Sequence, residues 1–129
     1  MNLFSVDLKN QPGELAHLCE TLAQRGVNVM LAGVTAGDHG TVVFITSDEE
    51  AAGTALTAAG IAFSERPALC VRCPDVPGEA AKFAHRLAEA NVNVEALLPL
   101  SVCQGEAVLV LCVDKFDDGR AALRDQLAV

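Results

Sequence analysis

Two short loops combine residue types that could bind a small charged molecule. They read Asn10-Gln11-Pro12-Gly13-Glu14 and Asp75-Val76-Pro77-Gly78-Glu79, and each precedes a predicted amphipathic helix. The first turn of a helix carries about four backbone N–H groups without partners and the positive end of the helix dipole. A carboxylate or phosphate binds readily there, and a glycine, which has no Cβ, lets a ligand approach the backbone closely. The loops therefore predict two candidate ligand sites.

Two asparagines extend this pattern. Val27-Asn-Val29 and Val92-Asn-Val94 each open a predicted strand, and we expect Asn28 and Asn93 to lie close to the loops. An amide both donates and accepts hydrogen bonds, which suits the zwitterion of an α-amino acid. The alternative is structural. Pro-Gly before a helix is common loop chemistry, Asn or Asp there can form a turn, and each loop's own glutamate satisfies the positive helix end and would repel an anion.

The cysteines and histidines do not compose an active site or a metal centre. Cys70-Val-Arg-Cys73 lies in a predicted strand, whose alternation turns the two thiols to opposite faces. Zinc requires a second ligand pair, which Cys103 and Cys112 do not form. The three histidines are expected at the surface, and no G-x-S-x-G elbow occurs. We therefore expect no catalysis, no metal and no cofactor; an enzyme or metal protein built on the cysteines is the remaining alternative.

Composition excludes several classes of partner. A formal net charge of −8 argues against nucleic acid and an anionic membrane surface. The chain has no Trp or Tyr and only five Phe, so it offers few stacking platforms for bases. Neither an apolar run long enough to span a membrane nor a signal-peptide pattern is present in the sequence. We expect a cytoplasmic protein with reduced thiols.

The elements that must position the loops form an internal repeat. Sliding the chain by 65 residues aligns the two loops, the two asparagines and Gly40 with Gly105, with 12 identities in 43 positions from Val6 to Asp48. Beyond Asp48 the register slips by about two residues. The repeat predicts two domains, 1–66 and 67–129.

Each copy is expected to be a ferredoxin-like βαββαβ unit in an α+β fold, with an antiparallel sheet and both helices on one face. In the first copy we predict a turn at 38–40 and a capping box at 47–50. An apolar helix stripe is predicted at Leu15, Leu18, Cys19, Leu22 and Ala23, and its counterpart at Ala80, Phe83, Ala84, Leu87 and Ala88. The predicted strands cover 3–8, 27–34, 41–46, 61–65, 68–73, 92–98 and 107–113; the other helices cover 51–59 and 116–127.

The second copy has no obvious fourth strand, because 126–129 is too short and is expected to fray. Exposed strand edges invite pairing. We expect another chain, or the linking segment 61–73, to cover that edge.

The pattern of a strand, Asn-x-Pro-Gly-x-Leu, an amphipathic helix and Gly-Val-Asn-Val resembles the ACT domain, over nearly the whole chain and twice. The resemblance implies amino-acid binding at the seam between paired units, and regulation of amino-acid biosynthetic enzymes. It further implies ligand contacts at Asn10 and Asn28, and at Asn93 in the second copy. Val34 matches an apolar position against the ligand, whereas Pro99 takes this place in the second copy. Asp75 departs from the usual amide and adds a negative charge, which makes the first loop the better candidate.

Two hypotheses follow from these features. The first is a non-catalytic, homodimeric amino-acid sensor; because no aromatic residue lies near the loops, small or branched aliphatic amino acids are favoured. The second is a regulatory or interaction subunit that docks on a biosynthetic enzyme through its open strand edge.

Overall fold

The computed structural model describes residues 1–128. The chain divides into two compact units, which we call the first unit (Asn2–Arg66) and the second unit (Pro67–Val129, together with Met1). Two antiparallel sheets and four α-helices confirm the predicted α+β fold of tandem ferredoxin-like units. No helix in the described part of the chain is both long and apolar enough to cross a membrane.

The first unit folds as β1 (Asn2–Lys9), α1 (Glu14–Ala23), β2 (Val29–Ala36), β3 (His39–Thr46), α2 (Glu49–Ala58) and β4 (Ser64–Pro67). Its strand order is β2-β3-β1-β4, so that β2 is an edge strand. The core lies between the helices and one face of the sheet. Phe4 and Phe44 stack there with ring centroids 5.2 Å apart, and the α1 residues Leu18 and Leu22 are buried with them.

The second unit folds as β5 (Leu69–Pro74), α3 (Glu79–Glu89), β6 (Val94–Cys103), β7 (Glu106–Val113) and α4 (Phe116–Ala122), followed by a 3-10 turn at Arg124–Gln126. Its strand order is β5-β7-β6. The core replaces the phenylalanine pair with Leu69 and Leu111, which face each other across β5 and β7.

The helix predicted at 116–127 is longer than the observed helix. The structure ends α4 at Ala122, and Leu127 instead forms a bridge with Val71 on the outer edge of β5. The Ala128 N–H donates to the Cys70 carbonyl oxygen at 2.7 Å. This tail is a short substitute for a fourth strand. It covers part of the β5 edge, whereas within the linking segment β4 pairs in the first sheet instead.

The repeat slips register inside β6, not beyond Asp48 as the sequence alignment indicated. In the first unit the Ser47 N–H donates to the Asn28 carbonyl, and in the second the Asp114 N–H donates to the Asn93 carbonyl. The asparagines are 65 residues apart but their donors are 67 apart. The register of β6 shifts between Val94 and Ala96 and again between Pro99 and Ser101. These two shifts account for the difference, and the Gly40–Gly105 match is therefore not a structural one.

Several local predictions need correction. Gly37, with a φ of +64°, begins the β2–β3 turn, and His39 and Gly40 lie in β3. The N-cap of α2 is Asp48, whose carboxylate accepts from the Ala51 N–H at 3.0 Å, so the capping box starting at residue 47 does not form. The helix stripes are narrower than predicted, since their exposed members are Leu15, Ala23, Ala80, Ala84 and Ala88.

Candidate functional site

The first loop is tied to the β2–β3 turn through Asn10. Its backbone N–H donates to the Asp38 carbonyl at 2.9 Å, and its side-chain Nδ2 donates to the Gly37 carbonyl at 3.0 Å. The loop ends at Gly13, whose φ of +91° is a left-handed conformation that glycine adopts without strain. Asn10 therefore fixes the position of the loop against the end of β2.

The start of α1 keeps its backbone donors available. Within the described residues, no side chain caps this helix. Gln11 Nε2 donates to Glu14 Oε1 at 3.1 Å, which orients the glutamate across the first turn. At the start of α1 the Glu14 carboxylate can accept hydrogen bonds from a ligand, and the first-turn amides beyond Glu14 can donate them.

A groove of about 410 Å³ lies between this loop, the start of α1 and the helix-facing surface of β2 and β3. One side is polar and the other is aliphatic. Its lining comprises Leu8, Lys9, Asn10, Gln11, Glu14, Leu15, Leu31, Gly33, Val34, Thr35, Gly40, Thr41 and Val42. The groove thus includes four of the seven site residues predicted in the first copy: Asn10, Gln11, Glu14 and Val34.

The strand register defines the floor of this groove. Leu31 pairs with Phe44 and Gly33 with Val42, and paired residues share one face of a sheet. Because Phe44 and Val42 belong to the core beneath the helices, Leu31 and Gly33 face the helices too. Val34 pairs with Thr41 on the opposite face, so Val34 borders the groove at the sheet edge.

The charges of the lining are balanced. Lys9 supplies one positive charge and Glu14 one negative charge. A neighbouring groove of about 430 Å³ also contacts Glu14, but Asp7 adds a second carboxylate there. An anionic group is therefore better accommodated in the groove that contains Lys9 and Asn10.

Asn28 does not lie near the first loop within one unit. It precedes β2, whereas Asn10 contacts the turn that follows β2. Eight strand residues at about 3.4 Å each separate the two by about 25 Å. The expected proximity is therefore wrong for a single unit, because β2 runs away from the Asn28 end toward the loop.

The second loop has the same backbone and different side chains. The Asp75 N–H donates to the Gly105 carbonyl at 2.8 Å, and Gly78 has a φ of +93°. Asp75, Val76 and Pro77 are exposed. Asn93 lies at the far end of β6, where its N–H donates to Asp114 Oδ1 at 2.8 Å. The loop and Asn93 are therefore apart in the second unit as well.

Sequence reasoning missed the floor of the groove, namely Leu8, Leu31, Gly33, Thr35, Gly40 and Val42. Gly33 carried the available signal, since a glycine inside a strand often marks close approach of a ligand or another backbone. Pro99 is not the structural counterpart of Val34. Val34 pairs with Thr41, and the equivalent of Thr41 in β7 is Val108, which pairs with Ser101. Ser101 is therefore the residue that corresponds to Val34.

The cysteines form no metal site within residues 1–128. Cys19, Cys70, Cys73 and Cys103 are free thiols. Burial raises the pKa of Cys70 and of Cys73, and the nearby Glu79 and Asp75 carboxylates raise that of Cys73 further. A raised pKa disfavours the reactive thiolate at neutral pH. His17, His39 and His85 are exposed, as expected.

Comparison with known proteins shows what shares this fold. No protein-family model and no curated protein sequence matches the chain. Among solved structures, the protein BT0572 from Bacteroides thetaiotaomicron matches with a TM-score of 0.86 and 26% identity, over 98% of this chain and 90% of that chain.

Two further matches are aspartate kinase structures. The ligand-free regulatory subunit of aspartate kinase from Thermus thermophilus has a TM-score of 0.67 and 23% identity, over 95% of this chain and 87% of that chain. The aspartate kinase of Clostridium acetobutylicum has a TM-score of 0.57 and 14% identity, over 96% of this chain and 32% of that chain. These likenesses support the ACT-like fold.

Proposed function

We propose that this protein is a non-catalytic regulatory protein that binds an α-amino acid in the groove beside the first loop. The observation that carries the proposal is the juxtaposition, in one groove, of Lys9, Asn10 and Glu14 with an aliphatic floor. The fold shared with a regulatory subunit of aspartate kinase supports a regulatory role.

The polar side of the groove matches the two charged groups of an amino acid. Lys9 and the first-turn N–H groups of α1 attract the carboxylate. The Glu14 carboxylate accepts from the ammonium group. Because a zwitterion has no net charge, a lining with one positive and one negative side chain suits it better than it suits a simple anion.

We further propose that two copies of the chain complete the site by pairing their β2 edges. β2 is an edge strand with no charged residue, and it exposes Met30, Leu31 and Val34. An uncharged apolar edge of this kind is prone to pair. Antiparallel pairing centred near the middle of β2 would bring Asn28 of a second copy opposite Ala36, beside the loop of the first.

The alternative function is an interaction subunit that docks on a biosynthetic enzyme. The same exposed β2 edge favours it, because an enzyme strand could pair there in place of a second copy. The two proposals differ in the oligomeric state of the isolated chain. Val34→Lys, at a side chain that is 72% exposed, should convert a dimer to a monomer, whereas Val102→Lys, at 61% on β6, should not. A monomeric wild type would favour the interaction subunit.

A thermal-shift screen of the twenty amino acids tests ligand binding. At one hundred times its dissociation constant a ligand stabilises by about 2.7 kcal/mol, which corresponds to several degrees. We expect Asn10→Ala and Asn28→Ala to abolish the shift, and Asn93→Ala to keep it. If no amino acid raises the midpoint at millimolar concentration, the amino-acid proposal is wrong.

A further inference from the structure

Resting on the proposed function, we infer that the space above Gly33 selects an amino acid with an aliphatic side chain, and that Gly33 is the specificity-determining residue. Gly33 lies in the middle of β2 on the helix-facing surface, where it pairs with Val42. The side chains around it on this side of the groove are those of Leu8, Leu15, Leu31, Thr35 and Val42.

The backbone gives no reason for a glycine at this position. Gly33 does not have a positive φ. A Cβ built there would lie 3.4 Å from the Thr41 carbonyl oxygen and from Val42 Cγ2, at the near limit of ordinary van der Waals contact. Glycine inside a strand destabilises the strand relative to alanine, because it loses more conformational freedom on folding. The residue therefore keeps a space open at some expense of stability.

Gly40 is a second glycine on the same floor. A Cβ there would lie only 3.3 Å from Thr35 Cγ2 and 3.5 Å from the Val34 carbonyl oxygen. The two glycines are therefore packed about equally closely between β2 and β3, and both keep the floor of the groove free of side chains. The space above Gly33 opens into the groove.

The side chains around the space above Gly33 determine which ligand group fits there. Leu15 is 46% exposed and Leu31 is 38% exposed, so both have apolar surface available to a ligand. The charged and amide groups of the lining belong to the end of β1, the loop and the start of α1, and Thr35 supplies the polar side chain of the floor. A polar ligand side chain above Gly33 would lose water and would find only the Thr35 hydroxyl as a partner on the floor, whereas each buried methylene should raise affinity about fourfold.

The experiment is a calorimetric titration with glycine, alanine, 2-aminobutyrate, norvaline, valine and leucine, and with serine, aspartate and lysine as polar probes. We expect affinity to rise about fourfold per methylene up to the branched aliphatic amino acids. In Gly33→Ala, the affinity for leucine and norvaline should fall at least tenfold, while that for glycine and alanine should change by less than about threefold.

Gly53→Ala is the matched control. Gly53 lies on α2, and a Cβ there would meet only the Phe63 ring, at 3.8 Å. This variant should bind like the wild type. The inference is overturned by a flat methylene series, by tighter binding of the polar probes, or by an equal loss for every ligand in Gly33→Ala; amino-acid binding would then still stand. If the wild type binds none of these compounds, the proposed function fails and the inference fails with it.

Discussion

The two units share one scaffold and differ where a ligand would bind. Both loops end in a left-handed glycine, and both donate a backbone N–H to the following hairpin turn. In the first unit Asn10 adds a side-chain bond to the Gly37 carbonyl. Asp75 cannot donate such a bond when ionised, and its charge repels a carboxylate. The two loops therefore have the same backbone conformation. The side chain at one position, Asn10 or Asp75, distinguishes the candidate site from the second loop.

The edge strands β2 and β6 also differ between the two units. β2 pairs with β3 in continuous register and has no charged residue, whereas β6 contains Pro99 and two register shifts. Proline and bulges are devices that protect a sheet edge from further pairing. The first unit thus combines the candidate site with the edge that is open to a second copy. Under the proposed function, the first unit would hold the ligand site and the contact with a second copy, and the second unit would support it.

The largest effect should come from the two cores. Phe44→Ala removes half of the Phe4–Phe44 stack and should destabilise the first unit by about 3–5 kcal/mol. Leu111→Ala, at the position that faces Leu69, should cost about 2–5 kcal/mol in the second unit. Urea unfolding followed by amide signals from each unit measures both. If Phe44→Ala weakens protection equally in both sheets, the units do not unfold separately and the comparison loses its basis.

Exchanging the loop residues is the next largest test. Asn10→Asp copies the second loop into the first; it removes the donor to Gly37 and adds a negative charge. We expect amino-acid affinity to fall at least tenfold, which corresponds to about 1.4 kcal/mol. The reciprocal Asp75→Asn should leave the affinity of the first site unchanged. Calorimetric titration of both variants measures these affinities. Unchanged affinity in Asn10→Asp would show that Asn10 does not distinguish the two loops.

Most of the fold could be predicted from sequence because the Pro-Gly loops, the asparagines and the helix stripes repeat at a fixed spacing. The candidate site could be predicted only in part. Asn10, Gln11 and Glu14 lie together in sequence, whereas Gly33 and Leu31 reach the groove through the strand register. The tail also escaped prediction, because apolar periodicity continued past Ala122, where the chain leaves the helix to pair with β5. The residues that could not be predicted are those that long-range strand pairing brings into place, and local sequence patterns do not encode such pairing.

A smaller effect should separate the second helices of the two units. Gly119 on α4 occupies the place that Ala52 occupies on α2, and a Cβ at Gly119 would lie 2.9 Å from Val113 Cγ2. Gly119→Ala should lose about 1–3 kcal/mol to overpacking, offset by about 1 kcal/mol of helix propensity. Ala52→Gly should destabilise by about 1 kcal/mol through propensity and by about 0.8 kcal/mol more through the loss of a buried methyl group. Thermal melts measure both, and a stabilised Gly119→Ala would mean that α4 can move away from the sheet.

The smallest effect concerns the tail that replaces a fourth strand. Arg86 donates hydrogen bonds to Asp125 and, at 2.9 Å, to Gln126. The bond from Arg86 holds the pKa of the Asp125 carboxyl below its usual range. A folded-state pKa below the unfolded value gives a contribution that is present at neutral pH and lost as the pH falls through the folded value, so tail docking should weaken only below about pH 4.

Arg86→Gln tests the same contact at neutral pH. Hydrogen exchange of the Ala128 amide, which bonds to Cys70, should accelerate several-fold, while the amides of β4 in the first unit keep their rates. Lys82→Gln on the same helix removes the ion pair with Glu79 and is the control. Equal exchange at Ala128 in both variants would show that the bridge to Val71 and the buried Leu123 hold the tail without Arg86. Faster exchange in Arg86→Gln alone would show that one half-buried arginine maintains the tail pairing, a role that the whole of β4 fills in the first unit.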